Sequence, residues 1–362
     1  MSRPATRRAL IAGLAALPVA ACGPASKGHD AAPDVVDPQP LKAVARFPIG
    51  CAVSTDLLAQ PAYAELLTRE VSQLTATWEM KMEYILQDDG SFRFEAPDAI
   101  AAFARDHGLR LFGHNLVWYA QDPAAFHRLD GQGGAFANAY RNYILAVAGR
   151  YRGQAVGWDV VNEPVAEDGE GLRQCLWSRN LGQIDYMRRA FDHAREADPD
   201  AVLLINDYNL ESRPKKRATL MRLIETLLKA GTPIGGIGTQ SHIDADLDPA
   251  AIGAAMRDLA SLGLPIHVSE LDISLNRGRG AFADQADLEM QQARLARTIA
   301  HEFAALPARQ RFAFTLWGLR GGDSWLRSSR ENPAPPWDQP LPFDDAGRPR
   351  PMLAALDAGL GG

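Results

Sequence analysis

The chain has 362 residues, 46% of them hydrophobic and 23% charged, with a formal net charge of −6. That acidic balance leaves no basic footprint and argues against a nucleic-acid partner, whereas a neutral polymer would need no charge complementarity at all. The length admits two domains or one large barrel of about 250 residues with insertions.

Residues 1–6 lead into Arg7-Arg8 and then an apolar run over 9–21. A charged start, a short apolar stretch and small residues make an export signal, too short to span a membrane. Thr6 with the arginine pair resembles a twin-arginine signal. Val19-Ala20-Ala21-Cys22 resembles a bacterial lipoprotein processing box, in which Cys22 would carry the lipid. Plain cleavage by an ordinary peptidase is the other reading. Residues 1–22 are therefore expected to direct the chain to the periplasm or cell envelope, held there by a lipid alone, or otherwise to secretion. Residues 23–45, rich in Pro, Ala, Gly, Ser and Asp without period, read as a flexible tether, and 46–360 as the folded domain. Export permits a disulfide, but Cys51 reads as a small buried apolar residue, and no bridge to Cys175 is expected.

Strand and helix patterns then alternate, which marks a parallel sheet. Strands are expected over 47–53, 70–76, 109–118, 155–162, 201–207, 234–243, 265–272 and 311–317. Helices are expected over 62–69, 96–107, 135–150, 183–197, 215–230, 250–262 and 286–306, with a closing helix at 352–358. Pro97 suits a first helical turn, while Gly108, Gly231 and Gly263 stop their helices. Eight strand–helix pairs close a single ring, so the fold expected is α/β, a (β/α)8 TIM barrel with no internal repeat and no second domain.

The chemistry-bearing residues cluster at strand ends. Gly157-Trp158-Asp159-Val160-Val161-Asn162-Glu163-Pro164 is apolar and β-branched until its last residues. Pro164 cannot donate to a ladder, so the strand ends there and leaves Asn162 and Glu163 at its tip. Glu270 sits at the far end of Pro265-Ile266-His267-Val268-Ser269-Glu270-Leu271-Asp272-Ile273. Loops after barrel strands converge on that face. Two glutamates there suit a glycosidase, one protonated to donate to the leaving oxygen and the other ionised to attack the sugar carbon. Together the two stretches resemble glycoside hydrolase family 10, the xylanase family built on a (β/α)8 barrel. Residues 158–163 match its Trp-Asp-Val-Val-Asn-Glu acid/base motif, and Ser269-Glu270-Leu271-Asp272 its Thr-Glu-Leu-Asp-like nucleophile motif.

Side chains on one strand face recur every two residues. Glu270 therefore shares a face with Asp272, and Gln240 with His242. The resemblance implies that His242 hydrogen-bonds the nucleophile, that Asp272 supports His242, and that Gln240 faces the reactive sugar. It also implies that Asn162 binds the sugar's 2-hydroxyl. The segment Gly113-His114-Asn115-Leu116-Val117-Trp118-Tyr119-Ala120-Gln121 resembles the family's His-Thr-Leu-Val-Trp-His-Ser-Gln. It puts His114, Trp118 and Gln121 at substrate-binding positions, with Asn115 and Tyr119 replacing Thr and His. In Asn206-Asp207-Tyr208-Asn209, Tyr208 matches a groove residue. Trp317 and Trp325 match tryptophans around the reactive sugar, where an indole face suits the C–H face of a pyranose. Arg320, Gly321 and Gly322 between them depart from the family, whereas the tail over 341–351 resembles it.

A larger departure follows the second strand. The family's Thr-Pro-Glu-Asn-x-Met-Lys-Trp reads here Thr75-Ala76-Thr77-Trp78-Glu79-Met80-Lys81-Met82. Lys81 matches, but Thr77 and Trp78 stand where a Glu and an Asn bind the sugars on the non-reducing side. Their loss is worth on the order of a few kcal/mol of recognition. Trp78 either stacks on a sugar in exchange or blocks that subsite.

The resemblance thus implies a retaining endo-β-1,4-xylanase, with Glu163 as acid/base and Glu270 as nucleophile. Their carboxyl groups would lie about 5–5.5 Å apart, and a gap above about 6.5 Å would point to inversion. Glu163 would need a raised pKa, supplied by burial and the nearby charge of Glu270. A same-fold β-glycosidase acting on another β-linked glycan or a short oligosaccharide is one alternative. A non-catalytic sugar-binding surface lipoprotein is another, though it would have no need of both carboxyl groups. No metal-ligand spacing such as HExxH or paired CxxC occurs, so no metal and no organic cofactor is expected. The expected partner is a β-linked polysaccharide or oligosaccharide, met by a monomer that touches a membrane only through its N-terminal lipid.

Overall fold

The computed structural model describes residues 39–275, 284–328 and 337–361, so the export segment, Cys22 and most of the expected tether lie outside it. Nine short parallel strands carry the fold: β1 (Ile49–Val53), β2 (Gln73–Ala76), β3 (Arg110–Trp118), β4 (Ala155–Asn162), β5 (Val202–Asp207), β6 (Gly236–Thr239), β7 (His242–Asp244), β8 (Ile266–Ser274) and β9 (Arg311–Leu316). Every residue of β1, β2, β6 and β8 is buried. A parallel strand covered on both faces reads as a continuous apolar run for that reason.

The strands pair in the order β6-β5-β4-β3-β2-β1-β9-β8, and β6 pairing with β8 closes the ring. β7 also pairs with β8 and continues the stave that β6 begins. The barrel therefore has eight staves, as expected, but the sixth is split rather than continuous over 234–243. Ser241 lies between the two pieces with φ of 59°. That left-handed conformation breaks a ladder and is disfavoured for a residue with a Cβ.

Outside the ring run the helices Pro61–Glu70, Glu95–Asp106, Gly133–Arg150, Asp185–Ala197, Pro214–Lys229, Pro249–Ala260, Gln285–Ala304 and Pro351–Leu360. Each turns an apolar stripe inward; on Asp185–Ala197 the stripe is Met187, Ala190, Phe191 and Ala194. Short helices at Thr55–Leu58, Met82–Ile85, Ala124–His127 and Leu176–Leu181 sit in the connecting loops. They are too brief to show a period in sequence.

Two boundaries differ from expectation for one reason. Glu70 stays in its helix instead of opening the second strand, and its carboxylate accepts the Leu41 N–H at 3.1 Å. Leu41 is buried in a helical turn, Leu41–Val44, that packs on the closing helix. Residues 41–45 are thus part of the folded domain rather than the tether. Cys51 and Cys175 are buried free thiols. Among the described residues no helix is long and apolar enough to cross a membrane.

Near the N-terminal ends of the staves Phe112, His267 and Phe312 plug the interior, with ring centroids 4.7 to 5.6 Å apart. Burial drives the His267 pKa down to about 3, so this ring is neutral packing. The polar interior begins above it, toward the C-terminal mouth.

Candidate active site

The tip of β4 turns sharply. Glu163 takes φ of 57°, also left-handed, and two bonds from β5 hold it there. Its N–H donates to the Asn206 carbonyl at 2.7 Å, and the Val165 N–H donates to Asp207 Oδ2 at 3.1 Å. So turned, the carboxyl is buried inside the mouth. Trp118 Nε1 donates to its Oε2 at 2.8 Å, while Gln240 Nε2 and Asn162 Nδ2 approach Oε1 at 2.9 and 3.2 Å. Burial pushes the Glu163 pKa up. The charges of Asp207 and Glu270 add to that rise, and the hydrogen bonds from Gln240 and Trp118 oppose it.

Glu270 faces the same space from β8. Asn206 Nδ2 donates to its Oε1 at 2.8 Å, and His242 Nε2 lies 3.3 Å from its Oε2. On the far side of the ring, His242 Nδ1 is 2.9 Å from Asp272 Oδ1, and Asp272 Oδ2 accepts Trp325 Nε1 at 2.8 Å. Burial opposes a charge on His242, yet Asp272 and Glu270 outweigh it and raise its pKa to about 9. Burial would likewise raise Glu270, but His114, His242 and Lys81 hold it at about 2. The raised His242 and the depressed Glu270 together favour an imidazolium facing a carboxylate.

One chain of amides joins the two groups. Asn206 Nδ2 donates to Asn162 Oδ1 at 2.9 Å as well as to Glu270, and Asn162 in turn reaches Glu163. The Ser269 hydroxyl fixes Asn206 from its other end at 2.8 Å. A carboxyl group kept protonated beside one kept ionised is able to donate a proton and attack a carbon at one bound ligand.

Most of the other residues singled out from sequence line this space. The Lys81 ammonium lies 4.8 Å from the centre of the Trp118 ring. Burial lowers its pKa, while Glu270, Glu163 and Glu79 pull the other way. His114 Nδ1 is 2.9 Å from Asp159 Oδ2, deep in the barrel. Burial raises Asp159 to about 6 against the pull of that histidine. Trp317 meets the rings of His114 and His242 edge-on at 5.3 and 6.1 Å, and Trp325 meets His242 at 5.2 Å.

Three further expected ligand residues have partners of their own within the protein. Gln121 Oε1 accepts the Glu83 N–H at 3.1 Å, bracing one loop on another. Trp78 packs on Tyr84 with ring centroids 4.6 Å apart. Tyr208 lies outward of the pair, its hydroxyl shared between Glu167 and Arg173 Nη2 and its ring 3.3 Å beneath Lys216 Nζ.

The sequence reading passed over Asn206 and the buried Asp207–Lys216 ion pair, whose atoms are 2.9 Å apart. A polar pair closing the apolar run Leu203-Leu204-Ile205 was the available signal, since it repeats the pattern that exposed Asn162 and Glu163. Arg173, whose Nε donates to the Glu163 carbonyl at 3.0 Å, carried no such mark. Among the described residues no cluster of His, Cys, Asp or Glu is placed to hold a metal ion.

Comparison with known proteins agrees with this geometry. The model for glycosyl hydrolase family 10 matches residues 41–358. Endo-1,4-beta-xylanase A of Cellvibrio japonicus is 31% identical over 89% of this chain, which spans 56% of that relative's length. An endo-1,4-beta-xylanase of Geobacillus stearothermophilus is 35% identical over 85% of this chain and 94% of its own. A solved structure, a thermostable mutant of a Cellvibrio japonicus xylanase, superposes with a TM-score of 0.80 at 30% identity, covering 89% of this chain and 100% of that one. The chain belongs to glycosyl hydrolase family 10.

Proposed function

We propose that the chain is a retaining endo-β-1,4-xylanase, cleaving internal bonds of xylan or xylo-oligosaccharides. Glu270 attacks the anomeric carbon while Glu163 protonates the departing oxygen; Glu163 then takes a proton from the water that releases the sugar. Asn162 sits beside the acid, where a 2-hydroxyl would bind, and the indoles of Trp317 and Trp325 close the apolar side of the sugar site. The observation that carries this reading is the joining through Asn162 and Asn206 of two buried carboxyl groups whose pKa values are pushed in opposite directions. The test is NMR of the first-formed product anomer from xylo-oligosaccharide. Retention supports double displacement; an inverted product removes it.

Thr77 and Trp78 favour a second reading, a same-fold β-glycosidase for another β-linked glycan or a short oligosaccharide. Initial rates on xylan, xylo-oligosaccharides and β-glucan separate the two. If none is cleaved, a sugar-binding role replaces both. The protein is further proposed to be a monomer, exported and lipid-anchored through Cys22. Radiolabelled palmitate incorporation that disappears in Cys22→Ala is the expected result, and unlabelled wild-type protein would refute the anchor.

A further inference from the structure

Gln240 and His242 are two positions apart, yet they meet different carboxyl groups. Gln240 Nε2 bonds Glu163 at 2.9 Å and His242 Nε2 approaches Glu270 at 3.3 Å. The turn between them depends on Ser241, which holds a left-handed backbone without being glycine. Such a conformation persists only where its surroundings over-determine it. What surrounds it is Glu211, a buried carboxylate on the segment after β5. Its Oε1 accepts the Ser241 hydroxyl at 2.7 Å and the Thr239 hydroxyl at 2.6 Å. The residues on either side of Gln240 are therefore gripped by one oxygen. Were Ser241 to relax to an extended backbone, the stave would run on as a regular strand. The two-residue period would then set Gln240 and His242 side by side on one face, and the turn that now aims them at different carboxyl groups would be lost.

We propose that Glu211 is a positioning residue for both carboxyl groups of the pair: by gripping Thr239 and Ser241 it fixes the turn that delivers Gln240 to Glu163 and His242 to Glu270. The proposal rests on the catalytic reading of that pair. Among the described residues the hydrogen bonds of the Glu211 side chain go to Thr239 and Ser241, not to either carboxyl group of the pair. Its second oxygen, Oε2, is buried with no hydrogen-bond partner among the described groups. Burying a carboxylate is costly, and an apolar side chain of similar size often serves stability as well or better. The grip on two hydroxyls is what an apolar replacement would remove.

The experiment compares Glu211→Leu, Glu211→Gln and Ser241→Ala with wild type in hydrolysis of an aryl β-xylobioside across pH. His242 is followed in parallel by NMR of histidine-labelled protein. Glu211→Leu is expected to lower kcat about 10- to 100-fold, since misplacement by an ångström has that effect. KM should change less than about threefold, as no sugar contact is removed. Both limbs of the kcat/KM profile should move to higher pH. The acid loses the bond from Gln240 that restrains it, and the nucleophile loses the imidazolium. Glu211→Gln keeps an acceptor oxygen for both hydroxyls and should recover most of the activity. The proposal is overturned if Glu211→Leu leaves kcat within about twofold and the limbs and the His242 titration unmoved. Should Glu211→Leu fail to fold, Ser241→Ala carries the same comparison. Should wild type cleave no glycan, the catalytic reading fails by itself, and a His242 titration that falls toward its ordinary value in the variants still decides the positioning role.

Discussion

Glu163 and Glu270 are the same side chain in two opposed settings. Around Glu163 every side-chain donor to the carboxyl is neutral, an indole and two amides, and the charges that act on it include the anions of Asp207 and Glu270, which raise it, as well as Lys81 and Arg173. Around Glu270 the interactions with His114, His242 and Lys81 lower the pKa, and His242 Nε2 stands 3.3 Å from the carboxyl. Burial is common to both and pushes both upward. The charged neighbours reverse the outcome at Glu270, so they and not the residue type divide the proposed acid from the proposed nucleophile.

The largest test of that division removes each carboxyl in turn. Glu270→Gln should reduce hydrolysis on the order of 10⁴-fold or more on every substrate, because the proposed nucleophile is removed. Glu163→Gln should cost about 10² to 10⁴-fold on xylan. On aryl glycosides whose leaving group needs no proton, its first step should be nearly spared. Stopped-flow rates on both substrate types check this, and equal losses on both would erase the distinction.

The next test moves the limbs of the pH profile separately. In the proposed mechanism the competent form has Glu270 ionised and Glu163 protonated. The acidic limb therefore follows the depressed pKa, about 2 against an ordinary 4.5, and the basic limb follows the raised one. His242→Gln deletes the imidazolium, so the acidic limb of kcat/KM should climb toward the ordinary carboxyl range while the basic limb stays nearly fixed. Trp118→Phe removes a donor that favours ionised Glu163. Its basic limb should rise instead, with a loss of about tenfold for one bond to a charge-bearing group. A common shift of both limbs in either variant would mean that the two settings are not independent.

What the sequence disclosed and what it hid divide along physical lines. The strands were legible because burial on both faces and the turn residues between them are local marks. Glu163 and Glu270 were legible because each closes such a strand. Asn206 bonds Glu270 across 64 positions, and Glu211 reaches Thr239 across 28. No local pattern carries those pairings, which exist only once β4, β5, β6 and β8 are neighbours in the ring. The split sixth stave was invisible for a related reason. A serine bears no mark of a left-handed turn, and only its buried partner explains it. The domain's start at Leu41 was hidden in a polar, Pro-rich stretch because one buried leucine makes no period.

The smallest effect is expected on the loop after β2, where the chain departs from its family. There the Thr77 hydroxyl is already spent on the Val53 carbonyl at 3.0 Å. Glu79 is turned inward, accepting the Thr55 N–H at 2.7 Å and the Trp78 N–H at 3.3 Å. The Thr77 proton and the Glu79 carboxyl are thus committed within the protein, and what the loop presents beside them is the half-buried indole of Trp78 against Tyr84. If that ring is a platform, Trp78→Ala should raise KM about 3- to 10-fold for xylo-oligosaccharides that extend past the cleaved bond toward the non-reducing end, as expected for one aromatic contact. The kcat and both pH limbs should stay put, because the ring touches neither carboxyl group. If the ring instead closes the subsite, the same variant lowers KM for the longer substrates. Either result separates this rim from the carboxyl pair: a change here alters which sugars are held, while a change beside Glu163 or Glu270 alters the proton each one keeps.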